Sequence, residues 1–528
     1  MRKFNITGVC IPRKHYMVDI SNKLKKIAEL ISEEQYFVIN CPRQYGKTTT
    51  LACLKQLLKD EYIVAFISFE GFGYKSFENE EIFCLRFMES VSNSLNLVNI
   101  SDEYKEAWLN KDVDDFVKLS YHITKMCRDQ KIVLMIDEVD KTSNNQEFLD
   151  FLSMLRAKFL ARELGDDYTF HSVILAGVYD IKNIKLKMIK EGYYSPLATE
   201  DKIYNSPWNI AAEFNMDMSF NPEEIESMLK DYKDENDVPM DMSMISQEIY
   251  KYTSGYPFLV SDICKIIDEE LDKDWSEEGV AKAVKIVISK KTTLSDDLVK
   301  NLETYKDLYD FLYLVLIDGE YMDFDLHDPV IDLANMFGYI KKEIRNGKAA
   351  TVISNRIFET LIINYFISKD LRTSGFKNKI AGALYQDVVK NNSFNMELVL
   401  NKFAEHYREI FNDVDAAFLE RHGRLLFLSY LKPLINGLGF YHIESQFTDY
   451  RRMDIVVDFG REQFIIELKL WKGEVKREKA YEQLLGYMKT RNAGCGYLLI
   501  FDFRKNVKKE QRSEWIQIGE KKIFSVIL

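Results

Sequence analysis

The stretch that decides the fold is residues 36–58, YFVINCPRQYGKTTTLACLKQLL. It opens with a short apolar run, YFVIN, passes through a turn-like segment with proline and glycine, and continues with apolar residues at helical spacing. This order predicts a buried strand, a loop and a helix. The glycine at position 46 permits the tight bend that such a loop needs.

The loop itself carries a phosphate-binding pattern. Residues 41–48, CPRQYGKT, match G-x-x-x-x-G-K-[ST], except that Cys41 stands where the first glycine is expected. Gly46 lets successive backbone N–H groups turn toward phosphate, and the following helix adds its positive N-terminus. Lys47 can reach the β- and γ-phosphates, and the Thr48 hydroxyl can ligate magnesium. The predicted ATP-binding residues of the loop are Arg43, Gln44, Tyr45, Gly46, Lys47, Thr48 and Thr49. The alternative is a chance Gly-Lys-Thr in a long chain.

A second apolar run supplies acidic residues for the same site. The run IVLMI at 132–136 is followed directly by Asp137 and Glu138. A carboxylate at the carboxyl end of a buried parallel strand lies where α/β sheets bind ligands. We expect Asp137 to hold magnesium and Glu138 to polarise the attacking water. An acidic run that caps the next helix is the competing explanation, and the presence of both motifs in this order favours the nucleotide site.

The remaining pattern predicts several domains. Continuously apolar strands that alternate with helices indicate a parallel sheet covered on both faces. An acidic helical region follows, and then helices, a hairpin signalled by Asn346-Gly347 and a closing helix, which is typical of a winged helix. A polar helical connector leads to a final block of a helix, three strands, a helix and a strand. The predicted divisions are residues 1–220, 221–296, 297–370, 371–410 and 411–528.

The final block places charged residues on neighbouring strands. Asp454 begins the strand MDIVVDF, and alternation in QFIIELKLW puts Glu467 and Lys469 on one face, opposite the apolar residues. A turn at Gly460 would pair the two strands antiparallel, so that Asp454 and Glu467 converge on one Mg²⁺ or Mn²⁺. Lys469 would orient or deprotonate the nucleophile of phosphodiester hydrolysis. The alternative is a simple cross-face ion pair on a strand with one solvated face.

Composition constrains the partners and the compartment. The chain of 528 residues has a net charge of −12, yet residues 451–528 carry 17 Lys and Arg against 11 Asp and Glu. This local excess of +6 is expected if the final block contacts a polyanion, and ordinary surface lysines are the alternative explanation. If the block does bind a nucleic acid, we expect DNA, with RNA as the alternative. Seven scattered cysteines without metal-ligand spacing favour a reducing compartment. No apolar run spans a bilayer, so we expect a cytoplasmic protein with no membrane partner.

Taken together, the stretches CPRQYGKTTT, VLMIDEVDK, TSGYPFLV and the D…ExK block resemble an AAA-ATPase-like family fused to a PD-(D/E)XK nuclease-like domain. The resemblance implies an α/β P-loop NTPase with a helical lid and a winged helix, followed by an α/β restriction-endonuclease-like domain. Met453 stands where the nuclease motif often has proline. The five divisions above then correspond to ATPase, lid, winged-helix, connector and nuclease segments.

The resemblance also adds residues to the second site. It implies Glu420, on the helix before the strands, as a further metal-side carboxylate, with Glu444 as a competitor for that role. It implies Gln483, on the helix after them, as a residue that supports the site. We expect Asp454, Glu467 and the other members of this set to act as a nuclease centre.

Sensor, finger and wing residues stay open at this stage. Tyr179 and Asp180 either sense the γ-phosphate or cap the next helix. Arg156 and Arg162 either act as an arginine finger or are solvated surface charges. The basic wing around Lys342 contacts DNA or, as the acidic body favours, another protein.

The function expected from the sequence is therefore an ATPase whose nucleotide state, together with self-association, controls a metal-dependent nuclease. The alternative is a nucleotide-controlled binding or signalling module whose nuclease-like domain is inactive.

Overall fold

The fold is described by a computed structural model over most of the chain. The described residues are 2–96, 98, 100–142, 145–178, 208–212, 214, 216–318, 320–345, 347–373, 388–390, 393–411, 416–435, 439–444, 454–459, 462–471, 474–502 and 512–528. They form two compact units. The first unit consists of Met1–Glu277 and Met336–Gly338, and the second consists of Glu278–Asn335 and Tyr339–Leu528.

The first unit alternates strands and helices and then becomes helical. Its elements are α1 (Ser21–Ser32), β1 (Tyr36–Asn40), α2 (Lys47–Leu58), β2 (Ile63–Ser68), α3 (Glu80–Ser94), α4 (Asp102–Ala107), α5 (Phe116–Cys127), β3 (Ile132–Asp137), α6 (Gln146–Glu163), β4 (Ser172–Gly177), α7 (Pro222–Asn236), α8 (Met242–Thr253) and α9 (Pro257–Glu270). The strands predicted at 36–40 and 132–136 are confirmed.

The four strands form one parallel sheet in the order β1-β4-β3-β2. All residues of β3 and β4 are buried, as expected for strands with both faces covered. Along β3, Leu134 belongs to one apolar cluster while its neighbours Val133 and Met135 belong to another. Helices therefore pack on both faces of the sheet, which confirms the predicted P-loop NTPase-like α/β fold.

The turn between α8 and α9 has a specific backbone requirement. Ser254 has a φ of 45° and Gly255 a φ of 74°, and Pro257 occupies the first turn of α9. A Cβ on Gly255 would lie 1.8 Å from the carbonyl oxygen of Phe220. Glycine is therefore required for this interhelical turn, which explains the break in helical pattern at TSGYPF.

The second unit combines a helical region with a mixed sheet. Its elements are α10 (Glu277–Ser289), α11 (Thr293–Thr304), α12 (Lys306–Tyr313), α13 (Pro329–Met336), β5 (Ile340–Arg345), β6 (Lys348–Ile353), α14 (Arg356–Thr373), β7 (Val389–Lys390), β8 (Ser393–Phe394), α15 (Met396–Phe411), α16 (Ala416–Ile435), β9 (Gly439–Glu444), β10 (Asp454–Phe459), β11 (Glu462–Leu470), α17 (Glu474–Thr490), β12 (Cys495–Phe501), β13 (Arg512–Ile518) and β14 (Lys521–Ile527).

The predicted hairpin is confirmed. Strands β5 and β6 are antiparallel, and Arg345 pairs with Lys348 across a two-residue loop. Gly347 in that loop has a φ of 77°, the left-handed conformation that such a tight turn requires. The helix α14 follows the hairpin, as the sequence pattern predicted.

The large sheet of the second unit has six strands in the order β13-β14-β12-β11-β10-β9. Strands β9, β10 and β11 form an antiparallel meander, and β12 pairs parallel with both β11 and β14. The helix α17 supplies the crossover between β11 and β12. The final hairpin of β13 and β14 extends the sheet beyond the single last strand that the sequence predicted.

The segment predicted as a polar helical connector is helical over α15, but its described part is less polar in its packing than expected. It contains the short hairpin of β7 and β8 and the helix α15, on which Val399, Leu400 and Phe403 are buried. The Phe403 ring packs 5.1 Å from Phe427 of α16. Apolar residues three and four apart thus make α15 part of the core of the second unit.

Within the described residues, no helix is long and apolar enough to cross a membrane.

Candidate functional site

The nucleotide loop lies between the carboxyl end of β1 and the first turn of α2. Gln44 has a φ of 57° and Gly46 a φ of 79°, so two residues of the loop adopt the left-handed conformation. A chain that alternates between right- and left-handed conformations turns successive N–H groups into one concave anion site. The helix α2 begins at Lys47 and directs its N-terminus at the same place.

Lys47 is held by the loop that precedes it. Its Nζ donates to the carbonyl oxygens of Cys41 at 2.8 Å and Pro42 at 2.9 Å. Burial lowers the pKa of the Lys47 ammonium, and the nearby carboxylates of Asp140 and Glu138 oppose that shift. The ammonium is therefore poorly solvated, and an anionic phosphate would be a stronger partner for it than neutral carbonyls.

Thr48 and Asp137 meet although they are far apart in the sequence. The Thr48 hydroxyl donates to the Asp137 carboxylate at 2.5 Å, and Asp137 is only 2% exposed. The parallel pairing of β1 with β4 and of β4 with β3 brings the carboxyl end of β3 to the same sheet edge as the loop. A hydroxyl and a carboxylate are the hard oxygen donors that Mg²⁺ prefers, so these two side chains fit the ion.

Glu138 follows Asp137 in an uncommon conformation. It has a φ of 57°, and its N–H donates to the Asp137 carboxylate at 2.9 Å. A left-handed non-glycine residue at the end of a buried strand turns the chain sharply beside the loop. Thr49, whose place in the nucleotide site stays a prediction, accepts a hydrogen bond from the Cys10 N–H at 3.1 Å.

Two further residues belong to this site but were not predicted from the sequence. Asp140 accepts a hydrogen bond from the Val178 N–H at 2.6 Å and so joins the ends of β3 and β4. The Tyr256 hydroxyl donates to the Arg43 carbonyl oxygen at 2.5 Å, and its ring meets Tyr45 edge-on at 4.8 Å. The acidic run IDEVD was a signal for Asp140, but no spacing rule in the sequence connects Tyr256 to the loop.

Arg162 is a structural residue in the described part of the chain. Its guanidinium donates to the carbonyl oxygens of Phe170, His171 and Glu34 and lies 5.5 Å from the centre of the Tyr36 ring. Neither sequence interpretation, a solvated charge or an arginine finger, describes these contacts. The guanidinium fixes the end of α6 to the sheet.

The other open positions have different outcomes. Tyr179 and Asp180 lie outside the described residues, so their sensor role stays a prediction. Arg156 is partly buried on α6. Trp208 is buried and stacks on Tyr36 at 5.9 Å between ring centres, so it is a core residue. On the wing, Lys342 and Lys348 are exposed.

The second candidate site lies on β11. Glu467 is only 1% exposed and forms an ion pair with Lys469, whose side chain is 21% exposed. Both share a strand face with Ile465, which packs in an apolar cluster with Leu484 of α17. The alternative interpretation expected Glu467 and Lys469 on a solvated strand face. That expectation is wrong, because α17 covers this face of the strand.

The other predicted members of this site are placed by their backbone. Ile455 pairs with Ile466, so the next position of the same register sets Asp454 across from Glu467. Glu444 pairs with Asp454 on the far side of β10, and Glu420 lies on α16. The side chains of Asp454, Glu444 and Glu420 lie outside the described part. Gln483 on α17 donates to the Tyr487 hydroxyl at 3.0 Å.

The helix α16 packs on the opposite face of the sheet from Glu467. A Cβ on Gly423 of α16 would lie 3.2 Å from the Phe501 ring. On β12, Leu498 and Ile500 lie on the same sheet face as Lys469, so Phe501 lies on the opposite face. Among the described residues, no group of three or more His, Cys, Asp or Glu is arranged to hold a metal ion. Glu467 supplies one buried carboxylate, which suits a hard cation.

The comparisons with known proteins define the class of the first unit. Residues 13–277, half of the chain, match the family model described as an AAA-like domain. The chain therefore belongs to the AAA-like domain family. The search of curated proteins found no matching relative.

Several solved structures are similar to the chain at low identity. The Walker-type ATPase PABY2304 of Pyrococcus abyssi is 10% identical, with 68% of this chain and 99% of that chain covered and a TM-score of 0.45. The ORC2 protein of Aeropyrum pernix, as ADPNP-ADP complexes, is 9% identical, with 69% and 97% covered and a TM-score of 0.38. The RuvB Holliday junction branch migration motor of Thermotoga maritima is 12% identical, with 68% and 96% covered and a TM-score of 0.31. The class rests on the family match.

Proposed function

We propose that the first unit binds ATP with magnesium and hydrolyses it. The observation that carries the proposal is the hydrogen bond of 2.5 Å between Thr48 and the buried Asp137 beside the glycine loop. These two residues are 89 positions apart, and a chance Gly-Lys-Thr would have no reason to meet a carboxylate at the end of a core strand. Membership of the AAA-like domain family supports the same chemistry.

Each residue has a defined task in this proposal. The loop N–H groups of Arg43, Gln44, Tyr45 and Gly46 bind phosphate oxygens, and Lys47 leaves its two carbonyls for the β- and γ-phosphates.

Thr48 and Asp137 would hold magnesium, which neutralises phosphate charge when bound. Glu138 accepts a proton from the attacking water and orients it. Thr49 supports the loop through the N-terminal segment.

Phosphate release from ATP tests the proposal. We expect purified full-length protein to release phosphate only with magnesium, and Glu138→Gln to lower that rate by about 100-fold while it still binds ATP. Glu103→Gln is the matched control, because Glu103 is an exposed carboxylate in the first turn of α4. Equal phosphate release by Glu138→Gln and the control would contradict the role of Glu138.

We further propose that the second unit hydrolyses phosphodiester bonds of DNA, with RNA as the alternative substrate, using Mg²⁺ or Mn²⁺. A buried carboxylate beside a lysine, Glu467 with Lys469, supports this chemistry, as does the register position of Asp454 across from Glu467. The metal would be held by Asp454 and Glu467, with Gln483 of α17 in a supporting role. Glu420 lies on α16, which packs on the other face of the sheet, so we leave it out of the metal site. The local charge of +6 over residues 451–528 supports a polyanionic substrate.

One observation favours a second candidate function. Glu467 already has a cationic partner in Lys469 on its own strand, and such a pair also stabilises a domain that binds without cutting. The chain would then be a nucleotide-controlled binding or signalling module. In either case we propose that ATP, together with self-association, controls the second unit.

A cleavage assay separates the two functions. Full-length protein is incubated with single- and double-stranded DNA and RNA, with magnesium or manganese, and with and without ATP. The nuclease proposal predicts metal-dependent cleavage that Asp454→Ala abolishes and Glu514→Gln, an exposed carboxylate of β13, leaves intact. No cleavage under any of these conditions, with ATP binding retained, selects the binding module.

A further inference from the structure

The outer side of the nucleotide loop is held by a residue from the turn between α8 and α9. Tyr256 is 3% exposed and lies between Gly255 and Pro257, whose backbones are both restricted. Its hydroxyl donates to the Arg43 carbonyl oxygen at 2.5 Å. Tyr45 packs edge-on against the same ring at 4.8 Å. The backbone on both sides of Tyr256 and the contact with Tyr45 therefore fix the orientation of the phenol.

The hydrogen bond from Tyr256 determines the direction of a phosphate-binding group. The carbonyl of Arg43 and the N–H of Gln44 belong to one planar trans peptide and point in opposite directions. A carbonyl held outward by Tyr256 therefore turns the Gln44 N–H to the other side. Gln44 has a φ of 57°, a conformation that a non-glycine residue adopts only when its surroundings enforce it.

A second contact restrains the residue before Arg43. Gly338 belongs to the short segment Met336–Gly338 of the first unit. It has a φ of 74°, and a Cβ at this position would lie 2.7 Å from Cγ of Pro42 and 3.6 Å from the Tyr256 ring. Only glycine lets this backbone approach Pro42 so closely. Tyr256 and Gly338 thus contact consecutive residues of the loop.

We propose that Tyr256 and Gly338 form a clamp that positions the phosphate-binding peptide of the loop. Tyr256 is a positioning residue, because it acts through Arg43 and Gln44 and does not touch the nucleotide. Gly338 keeps Pro42, and with it the carbonyl that holds Lys47, in register with the clamp. The clamp adjusts the affinity of the site for the phosphates of ATP and ADP, and so rests on the proposed nucleotide function.

Removal of one hydroxyl tests the first half of the clamp. Binding of a fluorescent ADP analogue to the full chain is titrated for wild type, Tyr256→Phe and Tyr74→Phe, a control whose side chain is 88% exposed. Loss of one hydrogen bond predicts about 3- to 10-fold weaker ADP binding for Tyr256→Phe. The ADP affinity of the control should equal that of the wild type. The Tm without nucleotide stays close to that of wild type, while the rise in Tm on adding ADP becomes smaller.

The outcomes separate this inference from the proposed function. Wild-type binding with equal affinity in Tyr256→Phe overturns the clamp and leaves the nucleotide site intact. A lower Tm without nucleotide and an unchanged ADP affinity gives Tyr256 a purely structural role and also overturns the clamp. Absence of ADP binding and ATP binding in the wild type overturns both.

A double-mutant cycle tests the second half. Gly338→Ala places a methyl group against Pro42, and we expect about 10-fold weaker ADP binding. Pro42→Ala removes the ring that this methyl group meets, so the double variant should bind ADP more tightly than Gly338→Ala alone. Independent effects of the two substitutions on ADP affinity would show that Gly338 does not act on the loop through Pro42.

Discussion

The two candidate sites are built in different ways. In the first unit, Thr48 and Asp137, the last residue of β3, come from separate motifs, and the parallel sheet brings the Thr48 hydroxyl within 2.5 Å of the Asp137 carboxylate. In the second unit, Glu467 pairs with Lys469, its neighbour but one on the same strand. The contact between Thr48 and Asp137 depends on the fold, whereas a contact such as that of Glu467 with Lys469 can form within any strand that has this spacing.

The difference shows how much each arrangement says about function. Convergence of distant residues at one sheet edge is hard to explain by stability alone, because loops and strand ends are where ligands bind. A buried ion pair along one strand has a structural explanation as well as a chemical one. The first site therefore supports its proposal more strongly than the second.

The largest effect on stability is expected at the buried pair of the second unit. Lys469→Met removes the Lys469 ammonium from the Glu467 carboxylate, which is 1% exposed, and we expect a loss of about 3–5 kcal/mol in the free energy of unfolding. Glu467→Gln in the same chain should recover part of this loss. Urea unfolding of the wild type, both single variants and the double variant measures the coupling. A Lys469→Met protein as stable as wild type would show that the pair has no structural weight.

The first site is tested by its lysine. Lys47→Ala should lower the rate of ATP hydrolysis by about 100- to 1,000-fold, because a charged group that stabilises the transferred phosphoryl is lost. Lys59→Ala is the matched control, since Lys59 is exposed just after α2. Phosphate release measures both. Equal rates in the two variants would reduce the first site to a structural loop.

One Gly→Ala substitution in each unit compares the cost of backbone strain with and without a steric overlap. Gly255→Ala combines a φ of 74° with an overlap of Cβ and the Phe220 carbonyl, and should cost about 3 kcal/mol of folding free energy. Gly519→Ala, between β13 and β14, has a φ of 61° and open space around it, so about 1 kcal/mol is expected. Urea unfolding compares the two, and equal losses would show that the Phe220 contact yields.

The smallest effect concerns the cysteine that replaces the first glycine of the loop. Burial raises the pKa of the Cys41 thiol to about 11. At pH 8 only about one thiol in a thousand is then ionised, so iodoacetamide should modify Cys41 more slowly than the exposed Cys495. The rate at Cys41 should rise about tenfold per pH unit up to that pKa. Peptide mass spectrometry follows both, and a fast reaction of Cys41 at pH 8 would contradict its burial.

Much of the first unit could be predicted from the sequence. Strands buried on both faces are continuously apolar, so β3 and β4 were recognisable from composition alone, and the loop motif identified the residues around Lys47. Contacts such as those of Tyr256 and Arg162 could not be predicted, because they join residues that no sequence spacing relates. Arg162 in particular reads as a surface charge until the carbonyls it binds are known.

In the second unit the pattern was informative about strands and less so about burial. Alternation correctly put Glu467 and Lys469 on one strand face, and the antiparallel pairing of β10 with β11 followed from the turn between them. Alternation says nothing of what covers each face, so the packing of α17 over Glu467 had to come from the structure. The sequence predicted helix in the connector segment, but its polar residues did not reveal that Val399, Leu400 and Phe403 of α15 are buried.

The most direct test of the central claim is a calorimetric titration of ATP, with and without magnesium, into the wild-type chain and Thr48→Ala. We expect one ATP site per chain in the wild type, with tighter ATP binding when magnesium is present, and loss of that magnesium dependence in Thr48→Ala. Absence of ATP binding in the wild type, or the same magnesium dependence in both proteins, would contradict it.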